Sequence, residues 1–271
     1  MPSNESTGRS KQDPDGWGMD TSEPAITPEA VLAYYGRLMG GEVDMTLPDL
    51  LVATFQVTAL RHLAGLIGTE VADRWPTPIF WPLARGSFRG RDIAIARLPI
   101  GAPAAAAALE LMITAGVRTA LIVGSVGSLR PDLHTGSLVI ATRAVRNEGS
   151  SYHYLASDQV ANASPDLVHA LESAADARAS SETSGPVWTT DAPYRECVTT
   201  IARLRAEGVL GVEMEAAGLF AVSRHRGARA ALIAAVSDEL SDGWSPGFHT
   251  MAYRRAILTA AGIALDAAFL C

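Results

Sequence analysis

Short runs rich in Ile, Val and Leu alternate with stretches of helical periodicity from Leu50 to the C-terminus, and this alternation limits the chain to an α/β fold. The strand-like runs are Leu50 to Thr54, Ile93 to Arg97, Thr119 to Val123, Leu138 to Thr142, Val187 to Thr189 and Ala230 to Val236. The helical stretches are Val57 to Leu66, Ala104 to Ala115, Pro165 to Ala177, Cys197 to Glu207, Met214 to Arg226 and Met251 to Phe269. Strands this apolar leave no face for water, so helices must cover the sheet on both sides, the usual condition of parallel strands. The expected architecture is a single-domain, three-layer α/β/α arrangement around a central mixed, mostly parallel sheet, occupying residues 25–271. No linker breaks the series after Gly41. Thr27-Pro28-Glu29 reads as an N-cap followed by Pro in the first turn, opening a short helix that ends at Leu38 before Gly40-Gly41. Residues 1–24 are polar, carry Gly and Pro and lack periodicity, which predicts a disordered tail.

Apolar residues form 48% of the chain and charged residues 19%, enough for a sizeable core. The net charge of −7 and the scattered basic residues exclude a polyanion-binding surface, so nucleic acid is not an expected partner. Cys197 and Cys271 show neither metal-ligand spacing nor a disulfide framework. No run reaches membrane-spanning length, and the polar N-terminus lacks the apolar stretch of a signal peptide. The expectation is a soluble, cytoplasmic protein without a metal site or a membrane partner.

Carboxylates and glycines supply the candidate chemistry. Glu213 and Glu215 bracket Met214 where a strand or loop hands over to a helix. Asp238 follows the β-reading run Ala230 to Val236, where open α/β sheets present groups to ligands. Singly, each has a plainer reading: the glutamates as favourable charges at a helix N-terminus, the aspartate as a loop residue. After Val123 comes Gly124-Ser125-Val126-Gly127-Ser128-Leu129. As a loop, it has either converging amides that meet an anion or sugar, or an ordinary turn that needs glycine. It is neither a Walker loop nor a dinucleotide fingerprint, so ATP and NAD are poor ligands for it.

Several ordered segments resemble the purine/uridine phosphorylase superfamily, the nucleoside phosphorylases and nucleosidases. They are Ile100-Gly101-Ala102-Pro103, Val123-Gly124-Ser125-Val126-Gly127, Gly136-Ser137-Leu138-Val139, Thr189-Thr190-Asp191-Ala192, Val212-Glu213-Met214-Glu215-Ala216-Ala217 and Val236-Ser237-Asp238. The resemblance implies the phosphorylase/hydrolase-like fold and cleavage of the N-glycosidic bond of a nucleoside. It implies that Met214 packs on the ribose, that Glu215 binds the ribose 2′- and 3′-hydroxyls and that Glu213 holds the sugar-side loop. Asp238 matches the aspartate that protonates N7 of a purine. Ser125 and the amides of Gly124 and Gly127 match the loop beside ribose and phosphate, and Gly101 a glycine lining the same cavity. The chemistry is coherent: breaking a C1′–N bond leaves a cation-like sugar and a poor anionic leaving group, so an acid must serve the base.

The chain also departs from that pattern. Phosphorolytic members carry two phosphate-binding arginines, and here Ile122 and Ala59 stand at those positions. Hydrolytic members use a glutamate near Gln56, and an amide cannot take a proton from water. Arg61, Arg85, Arg97 or a neighbouring subunit's arginine are the conceivable replacements. Tyr152 and His153 suit a base-stacking role, Thr190 and Asp191 fall in a segment that relatives place near the base, and Trp244 with Phe248 suit a lid or a plug. A purine-type nucleoside is the expected substrate, with inorganic phosphate as co-substrate, no cofactor, and a homo-oligomer from dimer to hexamer. Hydrolysis is the alternative, and an inactive nucleoside-binding protein is a further one.

Overall fold

A computed structural model of the chain describes residues 20–38, 46–71 and 82–271. Residues 1–19 of the expected tail and the stop at Gly40-Gly41 lie outside the described residues. The helices are α1 (Pro28–Leu38), α2 (Val57–Leu66), α3 (Ala102–Thr114), α4 (Pro165–Ala177), α5 (Val198–Ala206), α6 (Ala216–His225) and α7 (Met251–Ala267). The strands are β1 (Leu50–Thr54), β2 (Leu83–Phe88), β3 (Arg91–Arg97), β4 (Thr119–Ser128), β5 (Leu138–Asn147), β6 (Ala161–Asn162), β7 (Glu182–Thr190), β8 (Gly211–Glu213), β9 (Arg229–Glu239) and β10 (Ser245–Pro246).

The architecture is the expected central mixed sheet with helices on both sides, and its two longest ladders, β4 with β9 and β5 with β7, are parallel. The strand order is β10-β9-β5-β7-β8-β4-β1-β3-β2, with β6 beside β5. One pairing changes its character. Because β9 also pairs with β4, the strands β4, β9, β5, β7 and β8 close into a ring, and β1, β3 and β2 continue from β4 as an open sheet. Strand length allows this: β9 runs 11 residues and reaches β4 along its whole length and β5 through Leu232–Ala235. Strong coiling of long strands lets one of them serve two partners and bring strand ends together.

Three expectations need correction. Gly124 to Ser128 is not a loop: β4 continues through it, with a register shift against β9 between Val126 and Gly127. Asp238 likewise stands within β9, not beyond it. The helix expected from Met214 starts at Ala216. The strands that were not anticipated, β2, β6, β8 and β10, are short or carry Arg, Gly, Ser or Pro, so they give no apolar signal.

Most of the core is one cluster across the sheet, and Leu129, Trp188, Ile201, Leu204, Val209 and Val212 form a second, smaller one. The run Ala104 to Ala108 has a packing role, because α3 lies on α6. Ala105, Ala106 and Ala108 are buried there, and a side chain at Gly218 of α6 would come within 3.1 Å of the Ala102 Cβ. On the other side, α2 and α4 pack against α7.

Candidate active site

Strand β8 ends at Glu213, and the chain turns at once into α6. The first amides of a helix have no partner within it. Glu213 supplies one: its Oε2 accepts from the amides of Glu215 at 2.7 Å and Ala216 at 2.6 Å. Its Oε1 accepts from the Thr189 hydroxyl, whose oxygen in turn accepts from the Ala217 amide at 3.0 Å. Glu215 is held from another direction, its Oε1 accepting from the Gly101 amide at 2.7 Å. Gly101 has φ +96°, a backbone region that glycine occupies without strain and that aims its N–H at the carboxylate. Both glutamates are buried, and burial raises the pKa of each; the Glu215 charge adds to the rise at Glu213, against its three donors.

Asp238 is 9% exposed and lies on β9 beside Gly127 of β4. Its Oδ1 accepts from the Ser237 hydroxyl at 2.7 Å and its Oδ2 from the Trp244 indole N–H at 3.0 Å. A Cβ at position 127 would stand 2.6 Å from Leu240 Cδ1 and 3.3 Å from the Asp238 carboxylate. Glycine there leaves room for the acid.

One cavity of about 750 Å³ brings these groups together. Its wall includes Ser125, Gly127, Glu213, Met214, Glu215 and Asp238, six of the residues singled out in the sequence. Gly101 acts on the wall through its bond to Glu215, and Gly124 lies in β4 next to Ser125. Tyr152, His153, Thr190 and Asp191 are not part of that wall. Tyr152 stacks on the Arg146 guanidinium at 3.9 Å, and His153 is exposed. The Thr190 hydroxyl accepts from the Ala192 amide at 3.2 Å, and Asp191 accepts from the Gly149 amide at 3.0 Å. Arg146 donates to Ser151 Oγ and to the carbonyls of Leu155, Ala156 and Gln159, which ties down the segment after β5.

At the Gln56 end, neutral donors form a connected set. Gln56 Nε2 donates to Ser125 Oγ at 2.7 Å, the Ser125 and Tyr253 hydroxyls are 2.7 Å apart, and Gln56 Oε1 accepts from Thr54 Oγ1 at 2.9 Å. Ile122 and Ala59, the positions at which the family resemblance implied arginine, are core residues with 0% exposure. Among the described residues no Lys, Arg or His side chain lines the cavity. Arg97 is turned to the Phe55 carbonyl, to which it donates at 3.1 Å, and Arg61 is exposed. The rim is apolar and open to solvent: Ile100, Tyr194, Trp244 at 68% and Phe248.

Glu196 and Tyr253 belong to the wall and were not foreseen in the sequence. Glu196 sits just past a 3-10 turn at Pro193–Arg195 without a periodic pattern around it, and Tyr253 reads as one more core residue of α7. A second concavity of about 710 Å³, bordered by Asp132, Glu182 and Arg255, includes Gly136 to Leu138 of the family-like segments but none of the candidate site residues. Among the described residues no cluster of His, Cys, Asp and Glu could hold a metal ion, and no helix is long and apolar enough to cross a membrane.

The fold and this wall of carboxylates agree with what sequence comparison finds. The family model of the phosphorylase superfamily matches residues 58–268. The guanosine phosphorylase of Halorubrum lacusprofundi is 34% identical over 167 residues, covering 62% of this chain and 69% of its own length. The DeoD-type purine nucleoside phosphorylase of Myxococcus xanthus is 33% identical over 192 residues, 70% of this chain and 73% of the relative. That of Proteus mirabilis is 32% identical over 160 residues, 58% and 67%. The chain belongs to the phosphorylase superfamily and is an enzyme of the nucleoside phosphorylase type.

Proposed function

We propose that the protein cleaves the N-glycosidic bond of a purine-type nucleoside by phosphorolysis, releasing the free base and ribose 1-phosphate. The observation that carries this reading is the meeting of Glu215 and Asp238, 23 positions apart in the sequence, on the wall of one cavity large enough for a nucleoside. Glu215, fixed by the Gly101 amide, accepts hydrogen bonds from the ribose 2′- and 3′-hydroxyls, and Met214 packs on the sugar. Glu213 acts through the backbone, holding the turn that presents Met214 and Glu215. Asp238 serves the base, giving N7 a proton as the C1′–N bond breaks; help of this kind is worth about 10² to 10⁴ in rate. The acceptor sits at the end built from Gln56, Ser125 and Tyr253. Phosphate as acceptor is supported by the names of the relatives. The chemistry needs no cofactor, and a homo-oligomer fits the apolar rim of the cavity.

Hydrolysis is the second reading, and a specific observation favours it. The acceptor end offers neutral donors in place of guanidinium groups, a weak clamp for a dianion but an adequate one for water. A panel of purine and pyrimidine nucleosides, incubated with and without phosphate and assayed for free base and sugar product, separates the readings. Base and ribose 1-phosphate only with phosphate is the expected result. Free ribose without phosphate establishes hydrolysis, and binding without release of base would make the protein an inactive member.

A further inference from the structure

Glu196 and Asp238 line the same cavity, near enough for the Asp238 charge to act on Glu196, and the two carboxyl groups differ in their surroundings. Both Asp238 oxygens already accept a hydrogen bond, from the Ser237 hydroxyl and the Trp244 indole. Glu196 is half-buried in the same wall and, among the described residues, its carboxyl meets no hydrogen-bond donor. We propose that Glu196 and Asp238 act as a pair that holds one proton between them in the resting site, with Glu196 its holder, and that this proton is the one given to the leaving base. The inference rests on the proposed cleavage reaction and assigns it a second acidic group.

Electrostatics agrees with the geometry. Burial, together with the neighbouring Asp238 charge, pushes the Glu196 carboxyl up to about 7. A buried carboxyl beside another negative charge favours its neutral form, and the group without donors is the one that keeps the proton. The other titratable groups of the wall are Tyr194 beside Glu196 in the chain, Glu213 and Glu215 at the sugar position, and Tyr253 of α7. No cation among the described residues lines the wall to draw the proton off. In the reaction the C1′–N bond breaks with both electrons leaving on the base, and a ring nitrogen takes the proton of the pair. The acceptor's oxygen forms the new bond to C1′ and loses its proton to solvent. Solvent returns a proton to Glu196, whose partial exposure gives it that access.

The test is the pH dependence of kcat/KM for base release in wild type, Glu196→Gln and Glu196→Asp. The expected wild-type profile falls as pH rises through about 7. Glu196→Gln should lose roughly tenfold or more at neutral pH, with its falling limb moved at least about one unit lower, because the carboxyl that holds the proton near neutrality is gone. Glu196→Asp should keep the limb. A limb that stays in place in Glu196→Gln, or a change confined to KM, overturns the pair. Carbon-13 titration of the Glu196 carboxyl gives a readout without turnover: its midpoint should fall in Asp238→Asn, and an unmoved midpoint also overturns the proposal. Loss of the pair with base release intact leaves the cleavage reading standing, whereas a coupled titration with no base released from any nucleoside sinks that reading instead.

Discussion

At the scale of single residues, the candidate site divides by what each side chain is left free to do. Glu213 is consumed by structure, with both its oxygens taken by donors at the start of α6, whereas Glu215 gives one oxygen to Gly101 and keeps the other. Asp238→Asn should lower kcat by about 10²-fold or more with little change in KM, since an amide can neither hold nor pass on the proton that the leaving base needs. Steady-state kinetics with a purine nucleoside measures it, and an unchanged kcat removes Asp238 from the mechanism. Glu215→Ala should raise KM and lower kcat together, because the sugar loses both grip and orientation. Equal kinetics in that variant and wild type would mean that no sugar hydroxyl is held there. These two residues were legible in the sequence through their neighbours, Met214 and Ser237. Glu196 was not, because an acid in an irregular segment carries no pattern that says where it points.

Among the elements, the segment after β5 shows how a promising composition is spent on packing. Tyr152 and His153 read as base-stacking residues in the sequence. In the fold, Arg146 bonds three carbonyls of its own segment and carries the Tyr152 ring on its face. Arg146→Ala should lower stability by about 2 to 4 kcal/mol, since it leaves partly buried carbonyls without a donor. Urea unfolding measures the loss. Limited proteolysis should locate the first cut between residues 148 and 160, and a resistant variant would show that the guanidinium is dispensable there. The strands tell the reverse story. Gly124 to Ser128 looked like a loop because glycine and serine are poor strand formers, but pairing with β9, and with β8 from Gly127 on, overrides propensity.

For the molecule as a whole, two buried carboxyl groups make stability depend on pH in an unusual direction. Glu213 and Glu215 have pKa values raised above the ordinary 4.5 by burial, so the folded state binds protons more tightly than the unfolded chain. Their contribution is fully present below about pH 4.5 and is lost as pH rises towards and through neutrality. Between pH 5 and pH 8 the urea midpoint of wild type should fall further than that of Glu215→Gln, a difference of about 1 to 3 kcal/mol in unfolding free energy. Parallel pH dependences in the two proteins would show that Glu215 titrates alike folded and unfolded. The exposed apolar side chains at the cavity mouth, Ile100, Tyr194, Trp244 and Phe248, belong to the same scale. Light scattering is expected to report a homo-oligomer between dimer and hexamer, and a monomer at all concentrations would contradict that.

Periodicity and local chemistry determined the elements and their class: an apolar pentapeptide such as Leu50–Thr54 must be a buried strand, and Thr27-Pro28-Glu29 starts a helix, whatever surrounds them. Such signals act over a few residues, and the chain carries them openly. Closure of β9 onto both β4 and β5, the lengthening of β4 and β9 past their apolar stretches, and the arrival of Glu196 in the same cavity wall as Asp238 were decided only by the tertiary structure. Each depends on contacts between segments far apart in sequence, and no local pattern of side chains encodes which distant strand will supply the missing hydrogen bonds or the opposing charge.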